Sequence, residues 1–143
     1  MGLDFGERTI GVAVSDPLGI TAQGVEVIRR RTPEADFARL AELVRIYGVS
    51  GIVVGLPRNM NGTLGARGEA ARAFADECRA RLQLPVREWD ERLSTVAAER
   101  SLLEADMSRA GRKRVIDMIA ATIILQNFID SGAASLDDQG KLR

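Results

Sequence analysis

The stretch Gly2-Leu3-Asp4-Phe5-Gly6-Glu7-Arg8-Thr9-Ile10-Gly11-Val12-Ala13-Val14-Ser15 decides how the rest of the chain is read. Gly2 to Phe5 is a brief apolar run carrying one acid, Gly6-Glu7-Arg8 reads as a turn, and Thr9 to Ser15 alternates β-branched and small side chains. This pattern predicts two strands joined as a hairpin. Asp4 stands among apolar neighbours in a strand that should be buried, where a carboxylate is costly unless it is paired or holds a cation. Two plainer readings compete: an ion pair with a nearby arginine, and a turn-forming Asp ahead of Gly6.

Outward from the hairpin, Asp16-Pro17-Leu18-Gly19 breaks the chain, and Val25 to Ile28 predicts a third strand before the basic run Arg29-Arg30-Arg31. Thr32-Pro33 with Glu34 and Asp36 is a helix start, Phe37, Leu40, Leu43, Val44 and Tyr47 recur at helical spacing, and Gly48 ends the helix. Ile52-Val53-Val54, framed by Gly51 and Gly55, is continuously apolar, as a parallel strand covered on both faces should be. A glycine-rich loop from Leu56 to Arg67, a helix from Glu69 to Leu82 and a strand from Val86 to Trp89 follow. Ser94 caps a helix to about Ala105, and Arg112 to Asp130 forms the longest, most apolar helix. The order predicts an α/β fold: a mixed five-stranded sheet with the first, fourth and fifth strands parallel, the second antiparallel, and helices on both faces. One domain is expected over residues 1–131, with 132–143 a polar tail.

Composition narrows the chemistry. The 143 residues suit one compact domain, and 45% hydrophobic with 28% charged residues is enough for a core. Histidine is absent, which removes imidazole acid–base catalysis, histidine-based triads and imidazole zinc sites. Cys78 is the one cysteine, so no internal disulfide or cysteine zinc cluster forms, and a small apolar role in a helix is expected. Twenty basic residues balance twenty acidic ones, so any anion site must be local. All but two of the bases are arginine, which fits genome composition and also supplies planar forks for phosphate. The longest apolar stretch, Ile119 to Leu125, is too short to span a bilayer, and the amino terminus lacks a signal pattern; a cytoplasmic protein with no membrane partner is expected.

In an open sheet of this kind, ligands bind beyond the carboxyl ends of the parallel strands. Asp4, the Gly55–Thr63 loop and Trp89-Asp90-Glu91-Arg92 should meet there. Taken alone, Asp90-Glu91 reads as a solvated turn or a capping pair. Asp117 lies inside the most apolar helix, with Ala120 and Ala121 one turn on, so that helix can approach a sheet closely; an ion pair to Lys113 or Arg114 is the alternative. Carboxylates from distant positions, with no histidine available, suit hard divalent cations, which would activate water for phosphodiester hydrolysis. Arg58, Asn59 and Arg67 on the glycine-rich loop, Arg92 after the acid pair, and Arg112-Lys113 ahead of Asp117 are the candidate contacts to a nucleic-acid backbone. Read plainly, the loop is a surface connection and the basic run a solvated face.

Four ordered motifs, Asp4 to Asp16, Val54-Gly55-Leu56-Pro57 with Asn59-Met60-Asn61-Gly62, Asp90 to Thr95, and Asp117 with Ala120-Ala121 and Ile124-Leu125, resemble the YqgF/RuvX family. The similarity covers the chain to about Ser131. It implies an RNase H-like three-layer fold and a nuclease, described in that family as a Holliday-junction resolvase and as a pre-16S rRNA nuclease. By resemblance the catalytic and metal residues are Asp4, Asp90, Glu91 and Asp117, the metal is Mg²⁺ or Mn²⁺, and one member of the Asp90-Glu91 pair is the ligand, which one being left open. The first strand is expected to be short, and Asn61 replaces the family's usual Asp, so the turn there is expected without a charge-dependent role.

Maturation of precursor 16S rRNA is the leading expectation. Cleavage of four-way DNA junctions is the alternative, and it calls for a two-fold homodimer because two strands must be cut symmetrically. A non-catalytic ribosome or nucleic-acid adaptor would bind no divalent ion through these acids. An actin-like ATPase also begins with an Asp-x-Gly hairpin, but it needs two related domains where this length holds one.

Overall fold

A computed structural model of the chain describes residues 1–91 and 109–132, with the backbone alone for 109–115. The helix expected from Ser94 to about Ala105, and the tail from 133 on, lie outside the described residues. Five strands form one sheet: β1 (Gly2–Phe5), β2 (Thr9–Ser15), β3 (Ala22–Arg29), β4 (Ile52–Leu56) and β5 (Val86–Asp90), in the spatial order β3-β2-β1-β4-β5. β1 pairs antiparallel with β2 and parallel with β4, and β4 pairs parallel with β5. This is the topology the hairpin and the following strand–helix alternation predict. The described helices are α1 (Pro33–Tyr47), α2 (Ala66–Leu82) and α3 (Arg109–Asp130).

The sheet separates two cores. On one face Leu3, Ile10, Val12, Ile52 and Val54 pack with Phe37 and Leu40 of α1 and Phe74 and Cys78 of α2. On the other, Ala13 and Val53 pack beneath Ala120, Ala121, Ile124, Leu125 and Phe128 of α3. Small side chains on that second face bring the helix close: a Cβ on Gly2 would come within 2.7 Å of Leu125 Cβ. The face of each strand residue therefore follows from the two-residue period of extended chain.

Local signals set the helix ends. Thr32 Oγ1 accepts from Ala35 N–H at 3.1 Å, with Pro33 opening α1, a cap contributing about 1 kcal/mol. Gly48 closes the helix at φ 61°, a left-handed conformation that glycine adopts without strain. Several boundaries differ from the sequence reading: α3 begins at Arg109 rather than Arg112, β4 runs on to Leu56 and β5 to Asp90. β3 begins at Ala22 rather than Val25, because its pairing with β2 continues through a register shift at Val12/Ala13. α2 begins at Ala66 rather than Glu69; its N-cap, Gly65, makes no side-chain bond and so leaves no capping signature to read. No helix among the described residues is long and apolar enough to cross a membrane.

Candidate active site

Along β1, Leu3 and Phe5 face α1 and α2, which leaves Gly2 and Asp4 facing α3. Asp4 is 7% exposed. Its registered partner across the hairpin is Gly11. A Cβ at Gly11 would lie 2.1 Å from the backbone carbonyl oxygen of Asp117, so α3 crosses the sheet with Asp117 over Gly11 and beside Asp4. Thr9, two residues before Gly11 on the same face, donates from Oγ1 to Asp117 Oδ2 at 2.5 Å. That hydroxyl was not among the sequence candidates. The available signal was its parity with Gly11 and Ala13 on β2.

The Asp90-Glu91 pair is divided by the same period. Val86 packs in the α1/α2 core, and Glu88 reaches Arg72 of α2 at 3.6 Å. Trp89 turns the other way and meets Phe128 of α3 edge-on, with ring centroids 5.7 Å apart. Asp90 follows Glu88 toward the α2 side, where Arg58 Nε stands 3.6 Å from its Oδ2. Glu91 returns to the α3 side. A Cβ built on Gly55 of β4 would lie 3.2 Å from Glu91 Oε1 and 2.4 Å from Ile124 Cδ1, and that carboxylate oxygen is closed off from solvent. Since Leu3 pairs with Val54, Gly55 is the next residue up β4, alongside Asp4.

Asp4, Glu91 and Asp117 thus share the α3 face at the carboxyl ends of the parallel strands, over a floor of two glycines. Asp90 does not share it. Among the described residues no three acidic or thiol side chains are gathered tightly enough to form a ready-made metal cage. The three acids are neighbours on one face rather than a closed ligand set. Their chemistry still suits a hard cation, since every donor is oxygen, and a Cβ at Gly55 would crowd Ile124 first and the Glu91 carboxylate after it.

A family model described as "RuvX: Holliday junction resolvase" matches residues 1–131. The chain belongs to the RuvX family. Curated relatives of this RuvX chain include proteins named "Putative pre-16S rRNA nuclease" from Desulforamulus reducens, 59% identical over 93% of the chain and 97% of the relative, and from Moorella thermoacetica, 64% identical over 91% and 93%. Another of that name, from Symbiobacterium thermophilum, is 62% identical over 93% and 92%. Among solved structures, the RuvX chain is similar to "T. thermophilus RuvC in complex with Holliday junction substrate", with a TM-score of 0.55 at 15% identity, covering 99% of this chain and 97% of that one. A second Thermus thermophilus RuvC structure gives 0.53 at 16% identity, covering 92% and 93%. At that identity the likeness is one of fold, and the fold is RNase H-like, as the resemblance implied.

The RuvX loop between β4 and α2 is held by its own side chains. Asn59 N–H donates to Thr63 O at 2.9 Å and Asn59 Nδ2 to Thr63 Oγ1 at 3.0 Å. Asn61 Oδ1 accepts from Thr63 N–H at 3.1 Å and Thr63 Oγ1 at 2.6 Å, work that asks only for an oxygen and that an aspartate would do as well. Arg58 Nη1 donates to Gly62 O at 2.9 Å while its Nε faces Asp90. Of the candidate phosphate contacts, Arg58 and Asn59 are therefore engaged within the loop, and Arg67 is exposed in the first turn of α2. Arg92 lies outside the described residues; Arg112 and Lys113 fall in the first turns of α3.

Proposed function

We propose that this chain is one nuclease domain, residues 1–131, that hydrolyses phosphodiester bonds at an acidic centre of Asp4, Glu91 and Asp117. Its substrate in this reading is precursor 16S rRNA, matured in the cytoplasm. The observation that carries the reading is the meeting of an acid from β1, an acid after β5 and an acid from α3 on one sheet face, over Gly11 and Gly55. The relatives' name supplies the substrate class.

Mg²⁺ or Mn²⁺ held by these three acids would supply the charge that activates water and stabilises the leaving oxygen. The chain's own residues prepare that place. Burial keeps Asp4 from water, Thr9 fixes the Asp117 carboxylate through one oxygen and, among the described residues, leaves the other available, and the two glycines let α3 settle close enough to bring Asp117 down onto the sheet where a side chain would hold it off. Asp90 belongs to the site at one remove, as the partner that orients Arg58 and through it the loop. In this reading Arg67, exposed at the amino end of α2, meets a backbone phosphate.

The experiment is cleavage of labelled precursor 16S rRNA with and without divalent ion, using the parent and the Asp4→Asn, Glu91→Gln, Asp117→Asn and Asp90→Asn variants, each checked for folding by circular dichroism. The first three should lose at least about a hundredfold in rate, and Asp90→Asn less than tenfold. Asp117→Asn cutting as fast as the parent would refute the assignment. The matched family's description favours a second reading, resolution of branched DNA. Junction DNA in the same assay, with sedimentation to find whether a two-fold dimer forms, separates the two.

A further inference from the structure

The face of the sheet opposite the acids carries a cavity of about 290 Å³ between the first turn of α1, α2 and the ends of β1 and β2. That volume is at the small end of ligand pockets and has room for one ring system with its substituents. One wall is a stack of planar groups. The Phe74 and Phe5 rings lie 4.2 Å apart and 14° from parallel, and the Arg30 guanidinium sits 4.2 Å over Phe5. Arg30 is held there, because its Nη1 donates to the carbonyls of Gly6 at 2.7 Å and Glu7 at 2.8 Å. Asp36 lines the same cavity at 7% exposure, with Oδ1 accepting from Arg31 N–H at 3.1 Å and Oδ2 making no hydrogen bond among the described residues. Arg31 and Glu77 stand at the rim, and Ala73 of α2 leaves the opposite wall open.

A purely apolar guest would strand the buried carboxylate, and a bare anion would meet two acids. A flat ring with N–H donors along one edge and an anionic group at its other end satisfies every wall. Bases stack on aromatic rings and on arginine planes. We propose that this cavity binds a nucleotide through its base, with the base extending the Phe74–Phe5–Arg30 stack, its N–H edge on Asp36 and its phosphate at Arg31. Glu77 accepts from the ribose hydroxyls. Guanine fits best, since N1–H and the 2-amino group are adjacent donors. Uracil fits worst, because its one ring N–H is flanked by two carbonyls that would face the carboxylate.

This goes beyond the nuclease reading and does not depend on it. The base comes either from a free nucleotide or from an unpaired residue of an RNA strand wrapped over the sheet end, since Phe5 follows Asp4 directly. The test is a titration of ¹⁵N-labelled full chain, without divalent ion so that cleavage plays no part. GMP, UMP and a single-stranded oligoribonucleotide ending in G are the probes, and the amides of Arg31, Ala70 and Ala73 are followed. GMP should bind saturably and at least tenfold more tightly than UMP. Asp36→Asn, which keeps an oxygen for Arg31 N–H, should lower GMP affinity about tenfold and leave UMP unchanged. Ala73→Phe, a change at an exposed position, should abolish both. Binding of the oligonucleotide tenfold more tightly than GMP assigns the site to RNA, and equal binding assigns it to free nucleotide. No saturable shift up to about 10 mM GMP, equal affinity for GMP and UMP, or indifference to both substitutions overturns the proposal.

Discussion

Replacing Gly11 with alanine puts a methyl group 2.1 Å from the Asp117 carbonyl oxygen, where ordinary contact begins at 3.4 Å. The obstacle is helix backbone, so no side-chain rotation relieves it, and α3 must retreat by more than 1 Å. Forcing extra volume into a packed layer costs about 1–3 kcal/mol, and a rigid obstacle belongs at the upper end, roughly 6–12 °C in melting temperature for a chain this size. Retreat also carries Asp117 away from Asp4. A misplacement of about 1 Å at a reacting centre is worth on the order of a hundredfold in rate. Urea unfolding followed by Trp89 fluorescence suits the measurement, because Trp89 packs against Phe128 and so reports whether α3 is docked. Gly65→Ala is the control, its new Cβ meeting Asn59 at 3.6 Å, with an expected cost below about 1 kcal/mol. Were Gly11→Ala as stable as the parent within about 0.5 kcal/mol and equally active, α3 could not lie on β2 at Gly11, and the grouping of Asp4 with Asp117 would go with it.

Thr9→Val removes the hydroxyl that holds Asp117; about 1.5 kcal/mol of stability and ten- to a hundredfold in cleavage rate should be lost, and Thr9→Ser should restore most of both. The Arg39 guanidinium bonds Glu26 at 2.6 and 2.9 Å and holds its carboxyl below the ordinary 4.5. Stability from that pair is present above the ordinary glutamate value and disappears as pH falls through the lowered one, so Glu26→Gln should flatten the acid limb of the melting profile; an unchanged limb contradicts the pairing. Burial pushes the Cys78 thiol up to about 12, so a thiol-directed disulfide reagent at pH 8 should react only as fast as the chain unfolds. Immediate stoichiometric labelling would show that α2 does not cover it.

The sheet was legible because its signals are local and agree. The hairpin, the Thr32-Pro33 start, Gly48 and the apolar run at Ile52 each specify an element without help from distant residues. The neighbourhood of Asp4 and Asp117 was legible in outline, through an acid in a buried strand and an acid among alanines. The division of Asp90 from Glu91 was not, because adjacent residues at a strand end take opposite faces only once the last paired residue is known, and β5 runs one residue past Trp89. The tie between Arg58 and Asp90 was not legible either, because sequence shows a charge and not its partner, and the Asp90 carboxylate is thirty-two positions away in the chain. The stack of Phe5, Phe74 and Arg30 had no sequence signal at all, each being an ordinary residue of its own element.

Asp117 reaches its place over Gly11 from more than a hundred residues downstream, so the acidic centre cannot be assembled piecemeal during synthesis. A ribosome that has released β1 through β5 presents Asp4 and Glu91 without α3 above them, and the grouping is completed only when α3 leaves the exit tunnel and settles on the hairpin. If the activity is directed at ribosomal RNA, this order of events keeps each nascent copy harmless to the particle that is making it.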